Sequence, residues 1–314
     1  MKTRLKHILF HRKKNTLGGI ILIVVAEAIW GVTIATNVIA LDHFPIYVYA
    51  ALKTLIGGLI LLIFARPKWR KMKAKHLFQL AVSSFIGLSM FLVLLYKGIE
   101  MTNGITVSVI LALSPIVIYL FSLEKLKERF DSKILIGSLV SLSGVLLIII
   151  TSHDGSVNDA ASAGAMLIFA AVICDAFGIT VKKSLINRYH PFQISALNLL
   201  IASTVLIAAS IVNGEITMLG SVDKTGWYIF AFNTATGMVM AYMLYYMALT
   251  RLTLERSSVF AYIVPVVGVV SSIILLGDNP SPVFEVGSVI VLAGLIISQI
   301  KLPHLEHLNK RFKI

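Results

Sequence analysis

Residues Gly18 to Ala40 read GGIILIVVAEAIWGVTIATNVIA, and Glu27 is the one ionisable side chain among them. A charge at the centre of a membrane helix costs about 2.5–3.5 kcal/mol on insertion scales, so an acid kept there is a functional candidate. Burial favours the neutral form of a carboxylic acid. A carboxyl group that is neutral in an empty site and ionised opposite a cation exchanges a proton for that cation. Glu27 is therefore read as a proton-coupling or cation-binding residue. The competing assignment is an acid neutralised by Lys53 or held protonated against a polar neighbour. Trp30 lies one turn further along the same helical face, where its ring adds cation–π attraction. Asp175 sits at similar depth in a second apolar run and is the other candidate acid.

The stretch FNTATGMVMAYMLYYMAL, residues 232–249, supplies the remaining lining candidates. Tyr242 and Tyr245, with Tyr246 beside them, carry rings with polar tips, and Asn233 adds a hydrogen-bonding amide. Met238, Met240, Met243 and Met247 offer soft, deformable surface, although one helix cannot turn all of these inward. Tyr262, one turn before Pro265, is a further candidate, and Asn37 a weaker one. Pro115 and Pro265 each remove a backbone hydrogen bond in mid-span and suit hinges. No His cluster, paired metal-ligand acids or Ser/His arrangement falls at membrane depth, so neither a metal, a cofactor nor an enzymatic centre is expected. The single Cys174 excludes an intramolecular disulfide.

These residues need helices in lipid to position them. The chain has 314 residues, 57% hydrophobic and 14% charged, with a mean hydropathy of +0.88; an average soluble domain carries about 25% charge. With about 20 apolar residues per membrane helix, spans are predicted near 17–38, 46–65, 77–96, 104–123, 133–151, 163–183, 192–212, 226–249, 256–276 and 283–300. The net charge of +13 alternates with those spans. The N-terminal tail holds six Lys or Arg, the second loop six, the fourth four, the sixth Lys182, Lys183 and Arg188, the eighth Arg251 and Arg256, and the C-terminal tail four. The odd-numbered loops hold only Lys97 and Lys224. This pattern is topological. It assigns both termini to the cytoplasm and argues against nucleic acid as a partner.

The chain also repeats itself. LYKGIEMTNGITVSVILALSPIVIYLFS, from Leu95, aligns without a gap on YYMALTRLTLERSSVFAYIVPVVGVVSS, from Tyr245, at an offset of 150. Tyr96 meets Tyr246, Ser108 meets Ser258, Pro115 meets Pro265, and the register continues through Gly137/Gly287 and Gly144/Gly294. Earlier the offset slips, pairing Pro45 with Pro191 and Trp30-Gly31 with Phe177-Gly178. Five spans per repeat is an odd number, so the second copy enters the bilayer from the other side. The expected fold is an all-α integral membrane protein of ten transmembrane helices in two inverted-topology five-helix repeats, 18–150 and 163–299. Basic cytoplasmic tails, 1–17 and 301–314, flank them. Inverted repeats belong to secondary transporters with sites near the midplane. Gly137, Ser141, Gly144, Gly287 and Gly294 permit close helix approach; a homodimer face is their alternative use.

Five-span repeats, Trp-Gly in the first span, a mid-span Pro in the fourth and the acidic cluster EKLKERF after it resemble the EamA-type transporters of the drug/metabolite transporter superfamily. The likeness covers roughly residues 18–150 and 163–299. The second half departs from it at LLGDNPS, where the family often has an acidic loop. The AEAI segment also resembles the A-E-x-I stretch of the related small multidrug resistance family, whose glutamate exchanges protons for cationic substrate; Glu27 occupies that position. The resemblance implies secondary transport in the plasma membrane, often export and often coupled to H+. The expectation is a proton-coupled exporter of small metabolites or amphipathic and cationic compounds. The alternative is an uptake permease or exchanger for a polar nutrient such as an amino acid, sugar or nucleoside.

Overall fold

A computed structural model describes residues 16–65, 69–101, 107, 110–111, 113–126, 130–151, 159–186, 188–276 and 282–299. Among them every regular element is helical. Helix α1 is Thr16–His43 and α2 is Ile46–Ala65. Helix α3 is one continuous rod, Ala74–Met101, whose middle turn Phe85–Met90 is a π-helix. Helices α4, Ser114–Leu126, and α5, Ser132–Thr151, complete the first half.

The second half runs α6, Asp159–Ile186, and α7, Pro191–Val212, followed by a 3-10 turn, Glu215–Ser221. Helix α8 spans 224–249 with its own π-helical turn at Thr234–Met240. Helix α9 begins as Leu254–Ser258, tightens to 3-10 at Val259–Tyr262 and continues as Ile263–Leu276; α10 is Pro282–Gln299.

The helix ends follow local chemistry. α1 runs to His43, past the apolar run that ends near 38, because only Pro45 stops it: proline disfavours helical backbone at the residue before it. α7 opens with Pro191 in its first turn, where the missing N–H is no loss. Gly214, at φ 72°, takes the left-handed turn after α7. The Asp223 carboxylate accepts from Gly226 N at 2.9 Å and caps α8. Among the described residues six helices are long and apolar enough to cross a membrane, the shortest of them 20 residues, and α4, α5 and α10 contribute shorter apolar stretches. The chain is a multi-pass membrane protein. Residues 104–106, 108–109 and 112 of the expected fourth span, residues 1–15 and 301–314 of the basic tails and the 277–281 part of LLGDNPS lie outside the described residues.

Packing interleaves the halves. α1 packs against α8 and α9, and α6 against α3 and α4; α2 pairs with α7, and α5 with α10. Lipid supplies no hydrophobic drive between helices, so small residues set these contacts. A Cβ on Gly31 would lie 2.6 Å from Val267 Cβ, which fixes the approach of α1 to α9. Gly87, in the α3 π-turn, faces Gly178 of α6 backbone to backbone. A Cβ on Gly137 would lie 2.6 Å from the Gly294 carbonyl, and one on Gly144 would lie 2.6 Å from that of Gly287. Ascending positions on α5 thus meet descending ones on α10, so the two helices are antiparallel.

Candidate functional site

A cavity of about 190 Å³ lies between the halves, lined by residues from α1, α2, α3, α4, α6, α8 and α9. That is room for roughly a dozen waters. Helical periodicity decides who faces it. Glu27, Trp30, Ile34 and Asn37 form one stripe on α1; Asp175, Ile179 and Lys182 form another on α6. Counterparts at the offset of 150 both line it: Leu92 with Tyr242, Leu95 with Tyr245, Tyr96 with Tyr246, and Ser114 with Val264.

One end of the cavity is a hydrogen-bonded cluster around Lys53. Its Nζ donates to Asn37 Oδ1 at 3.1 Å and to Tyr96 Oη at 2.5 Å, and lies 4.5 Å from the centre of the Tyr49 ring. Tyr49 Oη donates to Asn37 Oδ1 at 2.7 Å and accepts from Asn233 Nδ2 at 2.8 Å; Thr36 Oγ1 donates to Asn233 Oδ1 at 2.6 Å. Every acceptor around the Lys53 ammonium is neutral. Lys53 is buried, with 3% of its surface exposed, and no described carboxylate lies within salt-bridge distance. The possible Glu27–Lys53 pair is therefore not formed: the cluster holds Lys53 against Asn37, ten residues along α1 from Glu27.

The other end is acidic. Glu27 is 3% exposed, lines the cavity, and has no hydrogen bond to any described residue. Asp175 lies within electrostatic reach of Glu27. Lys182, also within reach of Asp175, donates from Nζ to Asn198 Oδ1 at 3.2 Å. Two acids in a confined space attract a cation, whether a proton or an organic ammonium.

Aromatic rings join the two ends. Trp30 Nε1 donates to the Gly237 carbonyl at 3.0 Å, inside the π-turn of α8. Its ring centroid lies 5.3 Å from that of Tyr242 and 5.1 Å from that of Tyr245. The π-turn admits this bond by widening the helix beside a residue without a side chain.

The structure thus brings Glu27, Trp30, Lys53, Asp175, Asn233, Tyr242 and Tyr245 to one cavity, with Asn37, Met238 and Tyr246. Tyr262 is elsewhere. Fully buried, it packs with Tyr119, Ile134, Val259 and Val291 where α9 meets α4, α5 and α10. The 3-10 turn Val259–Tyr262 carries its ring away from the cavity face that Ala261 and Val264 occupy. Met240 is exposed, and Met243 packs on the apolar cluster of α2, α3 and α7. Pro265 lines the cavity; Pro115 is buried one residue after the lining residue Ser114. Pro265 withdraws the donor normally owed to the carbonyl of Ala261, which lines the cavity. Pro115 is the second residue of α4, where the missing N–H is no loss, so it does not interrupt that helix in mid-span.

Composition hid some participants. Lys182 and Lys183 count as loop charges in the topological reading, yet both are buried within α6. Lys183 donates to the carbonyls of Leu249 and Leu252 at the end of α8. The spacing Asp175 to Lys182, seven residues, is two helical turns and was the available signal. Tyr49 carried none beyond its type, and Tyr96 only its match to Tyr246 at the offset of 150.

The comparisons accord with this architecture. The model of the EamA-like transporter family matches residues 17–150 and 162–299. The uncharacterized transporter YetK of Bacillus subtilis (strain 168) is 26% identical over 294 residues, 92% of this chain and 88% of that protein. A probable terminal-alkyne amino-acid exporter of Streptantibioticus cattleyicolor is 23% identical, with 88% and 91% of the two chains covered. A probable amino-acid metabolite efflux pump of Salmonella typhimurium is 26% identical over 90% and 94%. One crystal structure shares the fold at a TM-score of 0.78 with 15% identity, over 90% of this chain and 98% of the other. With two matched stretches spanning most of its length, the chain belongs to the EamA-like transporter family.

Proposed function

We propose that this transporter is a proton-coupled secondary exporter of small metabolites or amphipathic and cationic compounds, working by alternating access in the plasma membrane. The observation that carries the proposal is Glu27: a buried carboxylate, free of hydrogen bonds to described residues, facing a cavity beside a second acid. Such a group is available to a proton in one state and to a cationic substrate in the other. Two inverted five-helix halves, with both termini cytoplasmic, supply the two states. The antiparallel contacts of α5 with α10 and the alternation of basic loops support that arrangement. Export is supported by the names of two relatives, an exporter and an efflux pump.

The test is flux in proteoliposomes of the full chain, with ethidium and L-leucine as probes and an imposed pH gradient. Gradient-driven flux is expected for the unaltered protein, and Glu27→Gln is expected to abolish its dependence on pH. Flux of the same size and pH dependence in Glu27→Gln overturns the coupling role.

A further inference from the structure

The cavity has two incomplete poles. Lys53 brings three N–H donors, and two are accounted for by Asn37 and Tyr96. Its surroundings are neutral dipoles and ring faces, whereas buried cations are ordinarily paired with an anion. Glu27 is the converse, a buried carboxylate whose near charged neighbour is another acid. A bound anion would complete the first pole. At the second, Lys182 is within reach of Asp175, which leaves Glu27 as the carboxylate for a bound cation.

The separation of the poles sets the length of a ligand that completes both. Glu27 and Asn37 are ten residues apart on one uninterrupted helix, about 15 Å at 1.5 Å per residue. Lys53 Nζ is 3.1 Å from the Asn37 side chain. Side chains leaning inward shorten the gap, so the poles stand roughly 10–15 Å apart, and a hydrogen bond of about 2.8 Å at each end leaves roughly 4–9 Å for the ligand. The ammonium and carboxylate of an α-amino acid share one carbon and are too close to satisfy both. Along α1 between the poles the lining is Trp30, Thr33 and Ile34, and Tyr242 packs on the Trp30 ring, a wall mainly for methylenes or apolar side chains with one hydroxyl.

We infer that the cavity binds an elongated zwitterion, of the class of dipeptides and ω-amino acids, with its carboxylate on Lys53 and its ammonium on Glu27. The inference rests on the reading of the cavity as the transport site. Lys53 is then a residue that selects substrate by its anionic end, and Glu27 selects it by its cationic end.

Trp30 provides the readout. The chain has three tryptophans, and Trp69 and Trp227 are exposed at 43% and 41%. Trp69→Phe with Trp227→Phe leaves Trp30 as the sole emitter, on the cavity wall. The full chain in nanodiscs is titrated with 6-aminohexanoate, hexanoate, hexylamine and glycine. Saturable change is expected with 6-aminohexanoate, at a Kd about tenfold or more below that of each other ligand, since each lost charge-assisted bond is worth at least that factor. Lys53→Met is expected to reduce 6-aminohexanoate to the affinity of hexylamine, and Glu27→Gln to reduce it toward that of hexanoate. If a variant does not fold, the four-ligand series on the otherwise unaltered chain still decides. Equal affinities for hexylamine and 6-aminohexanoate, or a Lys53→Met protein that keeps their ratio, overturn the zwitterion and leave the carrier reading intact when Glu27→Gln abolishes pH-driven flux. Silence of Trp30 to all four ligands also overturns it; pH-independent flux in addition removes the carrier reading.

Discussion

Ser141 Oγ donates a hydrogen bond of 3.1 Å to the carbonyl of Val291, its own counterpart 150 positions along the chain. A residue meets its counterpart only where the axis relating two copies passes, as at any isologous contact. The glycines around this bond reciprocate: Gly137 faces Gly294 and Gly144 faces Gly287. A Cβ on Gly294 would stand 2.5 Å from the Gly137 carbonyl, a backbone atom that cannot swing aside. Gly294→Leu is expected to separate α5 from α10 and destabilise the protein by about 1–3 kcal/mol or more. A fall in Tm in detergent checks it; an unchanged Tm shows that the two helices are not held by this contact.

Trp30 is fixed at two levels, by its Nε1 bond to the Gly237 carbonyl and by the rings of Tyr242 and Tyr245. Trp30→Phe removes the first and keeps most of the second. Because the orphaned carbonyl sits in a part-buried π-turn, the expected loss is about 1 kcal/mol. Thermal unfolding measures that loss, and ethidium flux should fall as the wall of the cavity loosens. Full activity and stability in Trp30→Phe would show the bond to be incidental.

Tyr262 makes the opposite case. Among the described residues its hydroxyl makes no hydrogen bond of good geometry, and the polar group beside it is the equally buried Ser138 hydroxyl. Deleting an unsatisfied polar atom is close to neutral or stabilising. Tyr262→Phe should leave Tm unchanged or raised and leave flux and its pH dependence untouched. A large loss of flux would return Tyr262 to the transport site.

Outside the spanning segments, Asp223 couples stability to pH. The Gly226 backbone N–H, first, and the nearby His43 hold its carboxyl below the usual carboxylate value; His43 Nδ1 lies 2.9 Å from Asp223 Oδ1. A carboxyl lowered in the folded state stabilises the fold above its unfolded pKa. That contribution disappears as pH falls through the lowered folded value. Asp223→Asn keeps the capping geometry and removes the titration, so it should flatten the acid side of the Tm–pH profile while leaving the neutral side little changed. An acid side of the same steepness in the variant would assign it to other groups.

How much of this was legible beforehand depends on range along the chain. Apolar runs of about 20 residues locate helices because lipid forces every backbone group to bond within its own helix. The offset of 150 between Pro115 and Pro265 also anticipated a feature never sought in it, the π-turns Phe85–Met90 and Thr234–Met240, which fall in matching places of α3 and α8. Glu27 stood out because an acid in a greasy stretch is costly. Lys182 did not, because a lysine near a span end reads as a loop charge until α6 is seen to continue to Ile186.

By itself the sequence determined the lipid setting, the helical class, the internal repetition and one acid worth testing. All of these follow from composition and from spacings within one helix or one repeat. Tertiary structure alone decided that Lys53 belongs to Asn37 and Tyr96 rather than to Glu27, that Tyr262 packs instead of lining, and that Gly237 receives Trp30 from 207 residues away. Which faces of different helices meet depends on how small residues let backbones approach, and that geometry is a property of pairs of helices, not of any one stretch of chain.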